Sequence, residues 1–421
     1  MNRNTSYDLI VVGGGFAGVS AAVEAAEKGL RVLLIEKYNC LGGAAANGLV
    51  MPFMNYWTTM PQTGEKRLLT GSVFERITAE LKRMGGLDDN GKTFDEEILK
   101  LVLNRFCGQS GVELLFNAVV VGADMDGRTI RRLKVWGKSC MLEMQAPYYI
   151  DATGDAELCV LAGCRCRVGR EKDGLCQPMT LSVRISGVDR ETFLANKLKI
   201  NPLYQQFQRE GKIKNPRENV LVFSTMHDDT LHFNTTRVVR RDPTDPFDVT
   251  CAELEAREQA FELLNFLKEN IPGFERAYIQ ATGLQIGIRE SRKVMGEYTL
   301  TRVDLEGLAR FPDAIAAANY DIDIHNPEGA GTDHYYFADG AWYEIPYRCL
   351  VPQDCDNLLA AGRCVSSTQA AQASLRIMPF CAQLGQAAGA AVSVAHQTGA
   401  MLRMVDVEQV RKILKKEHFI L

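Results

Sequence analysis

The chain opens with short apolar runs on either side of a stretch of small residues. Residues 9–12 are all apolar and lead into a glycine-rich turn at 13–18, and a second run at 31–35, apolar after Arg31, ends at Glu36. Short apolar runs bounded by glycine are typical of buried strands, and the Ala- and Gly-rich segment between them has the length of a helix. The pattern therefore predicts a strand, a helix and a second strand, which is a β-α-β unit.

Further along the chain, the apolar positions predict a helix and then a meander. Residues 94–106 carry apolar side chains at helical spacing with acids in the first turn, which is typical of an amphipathic helix. From residue 112 onwards, strand-like runs alternate with turn signals at Asp126-Gly127 and at Gly137. We expect a β-meander that returns to a buried strand ending near residue 154.

In the second half of the chain, the pattern of apolar and polar segments changes near residue 170 and again near residue 345. Between about 170 and 345, helical segments such as 251–270 alternate with polar strands and long loops. Short apolar strands then return, followed by an Ala- and Gly-rich helix over 379–398 and a charged tail. The pattern predicts an α/β fold in four parts. Residues 1–168 form a Rossmann-like dinucleotide-binding domain with a central parallel sheet and a β-meander, and 346–400 return to this domain. Residues 169–345 form an inserted α+β substrate or cap domain, and 401–421 form a C-terminal helix.

Composition and charge exclude several classes of protein. The 421 residues are 46% hydrophobic and 24% charged, with a net charge of −4, which is typical of a globular protein and gives no basic footprint for nucleic acid or an anionic membrane surface. No apolar run approaches the roughly 18 residues of a membrane span. The first predicted strand begins within ten residues of Met1, so we expect no secretory signal and a cytoplasmic location.

Four of the 12 cysteines lie close together in sequence, at Cys159, Cys164, Cys166 and Cys176. Such a group suggests an iron–sulfur or zinc site, but no pair has the C-x2-C spacing that is usual in these sites. The alternative is a set of unreactive thiols, because a free cysteine behaves as a small buried apolar residue. The spacing favours thiols, and we predict no metal site.

The glycine-rich turn has the features needed to bind a dinucleotide. Gly13 permits the tight turn out of the strand, Gly15 lets a pyrophosphate approach the backbone, and Gly18 allows close packing of helix and sheet. The free N–H groups at the start of the helix favour the phosphates. Glu36 lies where an acid can hold a ribose hydroxyl, and its charge would repel a 2′-phosphate.

Two later segments resemble parts of a flavin site. Residues 151–155 read Asp-Ala-Thr-Gly-Asp, a strand end whose small residues let the backbone pass close to a ligand. Residues 357–364 form another apolar strand that ends in glycine, and the helix after it has Pro379 in its first turn, a position that suits proline. Gly385 and Gly389 give that helix a smooth face. The alternative interpretation is a helix that only packs on the sheet, with no ligand at its start.

With these segments, the chain resembles the FAD-dependent oxidoreductases of the glutathione-reductase-like superfamily over nearly its whole length. More narrowly, it is similar to the group related to the flavoprotein subunit of heterodisulfide reductase. The motifs that carry the resemblance, besides those above, are Leu41-Gly42-Gly43, Gly287-Ile288-Arg289-Glu290-Ser291-Arg292, Ile345-Pro346-Tyr347-Arg348, Ala361-Gly362-Arg363-Cys364, Arg376-Ile377-Met378-Pro379 and the pair Gly385 and Gly389.

The resemblance implies an FAD bound in an extended form. Its ADP half would lie on the N-terminal turn, and the start of the C-terminal helix would lie under the pyrimidine edge of the isoalloxazine. The chain lacks a second G-x-G-x-x-G, and it lacks the C-x4-C redox pair after the first β-α-β unit, where it has only Cys40. We therefore do not expect a pyridine-nucleotide–disulfide reductase. The expected FAD-binding residues are Gly13, Gly15, Ala17, Gly18, Glu36, Lys37, Gly42, Gly43, Ala152, Thr153, Gly154, Asp155, Gly362, Arg363, Met378 and Pro379.

Candidates for the chemistry lie at 287–293 and 321–325. The run 287–293 predicts a strand, so Arg289 and Ser291 share one face while Glu290 and Arg292 share the other, and one of the two arginines could clamp a carboxylate. The alternative is that Arg292 pairs with a structural carboxylate.

In the second segment, Asp321, Asp323 and His325 alternate with apolar residues. Such a set could bind a metal, could present His325 as a base, or could be a solvated loop edge. His334 is a further candidate, and Arg376 and Arg363 lie in segments expected to contact the flavin. We predict Arg289, His325, Arg376 and His334 as the catalytic group.

These features predict a flavoenzyme that transfers a hydride between a small organic substrate and flavin N5. The alternative function is an electron-transfer flavoprotein subunit of a larger redox complex, with a redox partner protein in place of a substrate pocket. A third interpretation is a protein that binds FAD without catalysis. We expect no nucleic-acid partner and no membrane attachment.

Overall fold

The computed structural model describes residues 6–421, so the first five residues of the predicted first domain lie outside it. The strands in this part of the chain are β1 Leu9–Val12, β2 Val32–Glu36, β3 Trp57–Thr59, β4 Lys66–Leu68, β5 Glu113–Phe116, β6 Ala118–Asp126, β7 Thr129–Gly137, β8 Cys140–Met144, β9 Tyr148–Asp151, β10 Cys166–Val168, β11 Val183–Ser186, β12 Val222–Ser224, β13 Leu231–Phe233, β14 Tyr278–Thr282, β15 Arg292–Val294, β16 Ala314–Ala318, β17 Ile322–His325, β18 Thr332–Tyr335, β19 Tyr343–Pro346 and β20 Leu358–Ala360. The α-helices are α1 Phe16–Glu27, α2 Ala44–Asn47, α3 Ser72–Arg83, α4 Glu96–Gln109, α5 Glu157–Leu161, α6 Arg190–Asn196, α7 Ile200–Arg209, α8 Pro246–Asn270, α9 Arg302–Glu306, α10 Gln369–Leu375, α11 Met378–Thr398 and α12 Val407–Lys416.

A five-stranded parallel sheet with the order β20-β9-β1-β2-β5 forms the centre of the fold. Strands β1, β2, β9 and β20 are fully buried, whereas the edge strand β5 is partly exposed. The sheet confirms the α/β class and the β-α-β unit predicted from the first forty residues. In the register of the sheet, Val12 lies beside both Ile35 and Asp151. The carboxyl ends of β1, β2 and β9 therefore meet at one edge, which brings together segments far apart in sequence.

The Ala- and Gly-rich helix α11 packs against α1. A Cβ atom on Gly385 would overlap the carbonyl oxygen of Ala17, and one on Gly389 would overlap that of Ala21. The two glycines thus allow the helix backbones to approach closely, as the sequence predicts. The helix contacts α1 rather than the sheet alone, and nearly all of it is buried.

Local signals account for the boundaries of other helices. The side chain of Asp95 accepts hydrogen bonds from the N–H groups of Glu97 and Ile98 at the start of α4, close to the predicted start. Asp245 caps α8 in the same way, with Pro246 in the first turn. Helix α8 therefore begins before the predicted residue 251, because an aspartate cap followed by proline favours a helix start.

The predicted meander is confirmed as the antiparallel sheet β6-β7-β8, and the buried strand after it is β9. A separate antiparallel sheet, β12-β13-β11-β14, lies in the middle of the chain. Helix α8 and this sheet share an apolar cluster that includes Phe233, Leu267 and Phe274. Apolar residues between 300 and 350, in contrast, belong to the cluster that contains the parallel sheet and α11. The four-part division of the chain stays a prediction.

The predicted strand over 287–293 is wrong. Only Arg292–Val294 form a strand, which pairs with β10, while Gly287 forms an isolated bridge with Thr180. The segment between them therefore crosses from one hydrogen-bonded partner to another. The side chains of Arg289 and Glu290 are consequently placed by their own polar contacts rather than by the alternation of a strand.

Across the described residues, no single helix is long and apolar enough to cross a membrane. Helices α10 and α11 pass such a test of length and composition only as a pair, and this pair is bent by 94°.

Candidate active site

A cleft of about 930 Å³, partly open to solvent, lies at the carboxyl edge of the parallel sheet. The cleft is lined by 14 of the residues expected to bind FAD, namely Gly13, Gly15, Ala17, Glu36, Lys37, Gly42, Gly43, Ala152, Thr153, Gly154, Asp155, Gly362, Arg363 and Met378. Gly18 and Pro379 are outside the lining. A Cβ on Gly18 would overlap the carbonyl oxygen of Gly13, so Gly18 serves the packing of turn and helix. The structure thus brings the three predicted segments together around one cavity.

The glycine-rich turn leaves an open cradle at the start of α1. Gly13 has a φ of 103°, and a Cβ there would lie 2.5 Å from the carbonyl oxygen of Ala152. A Cβ on Gly15 would meet only Gly43, at 3.8 Å, so the space beside it belongs to the cleft. No side chain caps the N-terminus of α1, and its first N–H groups are available to an anion.

Glu36 is held at the end of β2 by the backbone. Its Oε2 accepts the N–H of Gly14 at 2.6 Å, and its Oε1 accepts the N–H of Tyr38 at 2.9 Å. The side chain is nearly buried and still lines the cleft. A carboxylate has lone pairs beyond these two bonds, so it can also accept a ribose hydroxyl.

Asp151 and Asp155 play different parts in the strand end at 151–155. The carboxylate of Asp151 accepts hydrogen bonds from Thr153 and from the N–H of Cys159, which fixes the turn. Asp155 receives Nη2 of Arg363 at 2.5 Å and the hydroxyl of Ser291. Burial raises the pKa of Asp155, but the charge of Arg363 and the bond from Ser291 outweigh it and leave the pKa below its ordinary value. Asp155 and Arg363 are therefore both charged in the wall of the cleft.

The start of α11 also lies at the cleft. Met378, the first residue of α11, and Arg376 both line the cavity. No side chain caps this helix either, so its N-terminal N–H groups and the positive end of its dipole are available to a bound group.

Arg376 connects the cleft to a group of buried and partly buried charges that we call the arginine cluster, made up of Arg217, Arg237, Arg289 and Arg376 around Asp323. Nη2 of Arg376 lies 3.7 Å from Oδ2 of Asp323. Asp323 also receives the hydroxyl of Tyr320 at 3.2 Å. Burial raises the pKa of Asp323, but His325, Arg376 and Arg289 together bring it well below its ordinary value. The cluster therefore has an ionised carboxylate at its centre.

His325 lies beside Asp323, two positions apart on the same face of β17, as the alternation of this segment predicts. Its Nδ1 is 3.1 Å from Nη2 of Arg237 and 3.2 Å from the hydroxyl of Thr332, and its Nε2 is 3.4 Å from Oδ2 of Asp323. Because a guanidinium can only donate, Nδ1 accepts and the proton sits on Nε2. Burial lowers the pKa of His325 well below its ordinary value, and the charge of Arg289 lowers it further. His325 is therefore neutral.

Arg289 is held by neutral acceptors. It donates to the carbonyl of Pro178 at 2.8 Å, to the hydroxyl of Thr180 at 2.6 Å and to Asn234 at 3.1 Å. Burial is the main cause that lowers its pKa well below the ordinary value, with Arg217 and Arg376 adding to it. Among the described residues, Arg289 has no carboxylate within ion-pair distance.

His334 lies at the exposed side of the arginine cluster. Its Nε2 is 3.7 Å from Oδ1 of Asp323, and its ring stacks on Tyr336 with the centroids 5.5 Å apart. The structure thus places the four residues predicted as catalytic around Asp323. Arg376 alone of the four lines the cleft.

Other predicted side chains have structural contacts. Arg292 donates to the backbone carbonyl of Asp155 at 3.5 Å, not to a carboxylate as the alternative interpretation has it. Glu290 forms a buried ion pair with Lys293. The 12 cysteines are free thiols, and in the part of the chain from 6 to 421 no three His, Cys, Asp or Glu side chains are grouped so as to hold a metal ion.

Sequence reasoning missed two members of the arginine cluster. Arg217 and Arg237 are almost fully buried, at 4% and 0% exposed, although arginine is rarely buried without a partner. Arg217 lies in the irregular segment between α7 and β12, and Arg237 in the one between β13 and α8, where periodicity carries no signal. Tyr38, Asn47 and Gln285 also line the cleft without having been predicted.

Comparison with known proteins gives a family and several partial relatives. A sequence model of the family described as "FAD dependent oxidoreductase" matches residues 8–414. A mitochondrial dihydrolipoyl dehydrogenase of Schizosaccharomyces pombe is 29% identical over 167 residues, which are 36% of this chain and 29% of the relative. A glycerol-3-phosphate dehydrogenase of Synechocystis is 50% identical over 80 residues, which are 19% of this chain and 13% of the relative. A digeranylgeranylglycerophospholipid reductase of Methanococcoides burtonii is 29% identical over 133 residues, which are 30% of this chain and 32% of the relative. Each match therefore spans no more than about a third of the relative.

Solved structures resemble the chain over nearly its whole length at low identity. A geranylgeranyl bacteriochlorophyll reductase-like protein of Thermoplasma acidophilum is 14% identical with a TM-score of 0.49, and covers 98% of this chain and 84% of its own. A p-nitrophenol 4-monooxygenase of Pseudomonas putida is 12% identical with a TM-score of 0.48, covering 98% and 85%.

Proposed function

Because this chain belongs to the FAD-dependent oxidoreductase family, we propose that it transfers a hydride between a small organic substrate and N5 of its FAD. The observation that carries the proposal is the position of Arg376, which lines the cofactor cleft and also reaches Asp323 in the arginine cluster. A substrate held by the cluster would therefore lie next to the cofactor, as hydride transfer requires.

The residues of the cleft fit an extended FAD. The uncapped start of α1 and the open space beside Gly15 suit a pyrophosphate, and Glu36 suits a ribose hydroxyl. The uncapped start of α11, at Met378, suits the end of the flavin that becomes negative on reduction. When bound, FAD supplies the hydride-accepting or hydride-donating atom.

We assign the side chains of the arginine cluster to separate tasks. Arg289 and Arg376 bind and orient the substrate, since Arg289 has no carboxylate partner and Arg376 borders the cleft. His325 is a positioning residue, because both of its ring nitrogens are occupied by Arg237 and Asp323. Asp323 orients its neighbours, and its low pKa makes it a weak base.

We assign proton exchange to His334. Removal of a hydride from a substrate that also loses a proton needs an acceptor with a route to water. The side chain of His334 is 38% exposed and its Nε2 lies 3.7 Å from Oδ1 of Asp323, so the ring lies between the arginine cluster and solvent and can pass a proton from one to the other. We also keep 169–345 as the substrate domain in this proposal, because it supplies Arg217, Arg237 and Arg289.

The test is anaerobic reduction of the yellow holoenzyme with a panel of carboxylates, sugars and alcohols. We expect at least one compound of the panel to reduce the flavin, seen as loss of its yellow colour, at a rate typical of enzyme turnover. A flavin that dithionite bleaches and no metabolite bleaches would contradict it. A subunit that passes electrons within a larger complex, the alternative function, would instead be reduced only by a partner protein.

A further inference from the structure

The arginine cluster carries more positive charge than its own carboxylates balance. Among residues 6–421, its four guanidinium groups face two carboxylates within ion-pair distance, Glu218 at 3.3 Å from Arg237 and Asp323 at 3.7 Å from Arg376. Two positive charges are therefore left over. The nearby carboxylate of Glu290 does not reduce this excess, because it is paired with Lys293. Burying a charge without a partner is strongly unfavourable, so such an excess points to a missing anion.

Several N–H groups of the cluster also lack hydrogen-bond partners. Nε and Nη1 of Arg217, Nε of Arg237 and Nε of Arg376 are buried with no acceptor in the structure. Arg217 and Arg237 are more than nine-tenths buried, so bulk water does not easily compensate them. A buried donor without an acceptor is costly, and these atoms belong to the same side chains that carry the excess charge.

The location of the excess charge is next to the cofactor. Arg376 is shared between the cluster and the cleft, and Gly287 and Ile288, which precede Arg289, also line the cleft. The positive charges of Arg376 and Arg217 both act on Arg289, whose pKa they lower. An anion bound among these groups would thus touch the cofactor cleft on one side.

We infer that the arginine cluster binds the substrate as a small organic dianion, with Arg217 and Arg289 as its principal charge partners and Arg376 at the end next to the cofactor. The inference rests on the proposed function for the identity of the ligand as substrate. Guanidinium groups bind carboxylates and phosphates alike in bidentate fashion. A dicarboxylate and a phosphate ester share this chemistry, and a dianion would neutralise the two remaining charges.

The test is isothermal titration calorimetry of the FAD-loaded protein with succinate, inorganic phosphate and propionate as probes. We expect at least one of the two dianions to bind at least tenfold more tightly than the monoanion propionate, with an affinity that falls as salt is raised. Preference for succinate indicates a dicarboxylate, and preference for phosphate indicates a phosphate ester. Dianions that bind no tighter than propionate would overturn the inference.

Variants locate the site. We expect Arg217→Gln to weaken binding of the preferred dianion at least tenfold while the FAD content is unchanged. The control is Arg190→Gln, which removes the same charge from an exposed arginine paired with Asp228 at 3.0 Å, and it should leave the affinity as it is. If Arg217→Gln binds the preferred dianion as tightly as the wild type does, the arginine cluster is not the binding site. If that variant does not fold, the comparison of dianions with propionate on the wild-type protein still decides the inference.

The outcomes separate this inference from the proposed function. Tight dianion binding without reduction or oxidation of the flavin by any dianion would leave the anion site standing and contradict hydride transfer. Bleaching by a neutral alcohol or sugar, together with no preference for dianions, would support the flavoenzyme and overturn the anion site.

Discussion

Nη2 of Arg376 lies 3.7 Å from Oδ2 of Asp323, and the same arginine lines the cofactor cleft. This contact joins two parts of the molecule that have different origins in the sequence. The cleft is built from the ends of the parallel strands, whereas Asp323 lies on the two-stranded sheet β17-β18. The pair therefore marks the place where substrate and flavin would meet.

Replacing Arg376 should separate substrate oxidation from cofactor binding. We expect Arg376→Gln to slow reduction of the flavin by the substrate at least tenfold, because a lost charge-assisted hydrogen bond is worth roughly 1.5–3 kcal/mol. The FAD content should be unchanged, since the glycine-rich turn and Glu36 remain. Stopped-flow absorbance under anaerobic conditions measures the rate.

Arg348→Gln is the matched control for this prediction. Arg348 pairs with Asp313 at 2.9 Å on the surface, and its side chain is 45% exposed. The control should reduce at the wild-type rate. Equal rates in Arg376→Gln and the wild type would take Arg376 out of the reaction.

The cofactor cleft could be predicted because its parts follow short-range rules. The turn at 13–18 and Glu36 lie in one β-α-β unit, where strand, helix and strand fix their spacing. Asp151 and Ala360 lie at the ends of parallel neighbours, and such ends meet at one edge of a sheet. Periodicity and glycine positions therefore predicted the strand ends, and the resemblance to the flavoenzyme family implied that these ends converge on one cofactor.

The arginine cluster could be predicted only in part. The alternation at 321–325 correctly placed Asp323 and His325 on one face, because a strand alternates its side chains. Arg217 approaches the cluster from a loop and Arg289 from an irregular segment, and neither backbone has a period that indicates the direction of the side chain. Their positions depend on tertiary contacts, such as the bonds from Arg289 to Pro178 and Thr180, which local pattern does not encode.

Close packing of α11 on α1 leads to a prediction about stability. We expect Gly385→Ala to lower the free energy of unfolding by about 1–3 kcal/mol, because its Cβ would overlap the carbonyl oxygen of Ala17 and force the helices apart. Urea unfolding followed by circular dichroism measures the change. Gly108→Ala in α4 is the control, since a Cβ there meets no atom within 4 Å. Gly108→Ala should leave the free energy of unfolding unchanged or raise it by up to about 1 kcal/mol. A Gly385→Ala protein as stable as the wild type would contradict the packing argument.

Glu36 should contribute to FAD affinity through its charge. We expect Glu36→Gln to raise the Kd for FAD at least tenfold, because an amide accepts a ribose hydroxyl more weakly than a carboxylate does. The amide oxygen can still accept one of the two backbone N–H groups that now bind Glu36, so the fold should persist. Titration of the apoprotein with FAD, followed by flavin fluorescence, measures the Kd. Glu65→Gln, at an exposed turn, is the control, and equal Kd values for Glu36→Gln and the wild type would show that Glu36 does not hold the ribose.

The neutral state of His325 should make the protein less stable in mild acid. Burial holds the pKa of His325 well below its ordinary value, whereas in the unfolded chain a histidine is protonated below about pH 6.5. The unfolded state therefore binds the extra proton, and stability is full above about pH 6.5 and falls by up to about 1.4 kcal/mol for each pH unit below it.

In His325→Asn, the amide oxygen can still accept the bond from Arg237 but has no proton to gain. We expect the loss in free energy of unfolding between pH 7.5 and 5.5, measured with urea at saturating FAD, to be roughly 1 kcal/mol smaller in this variant. His396→Asn, at an exposed position, should lose as much stability as the wild type, and an equal loss in His325→Asn would show that His325 is not held neutral.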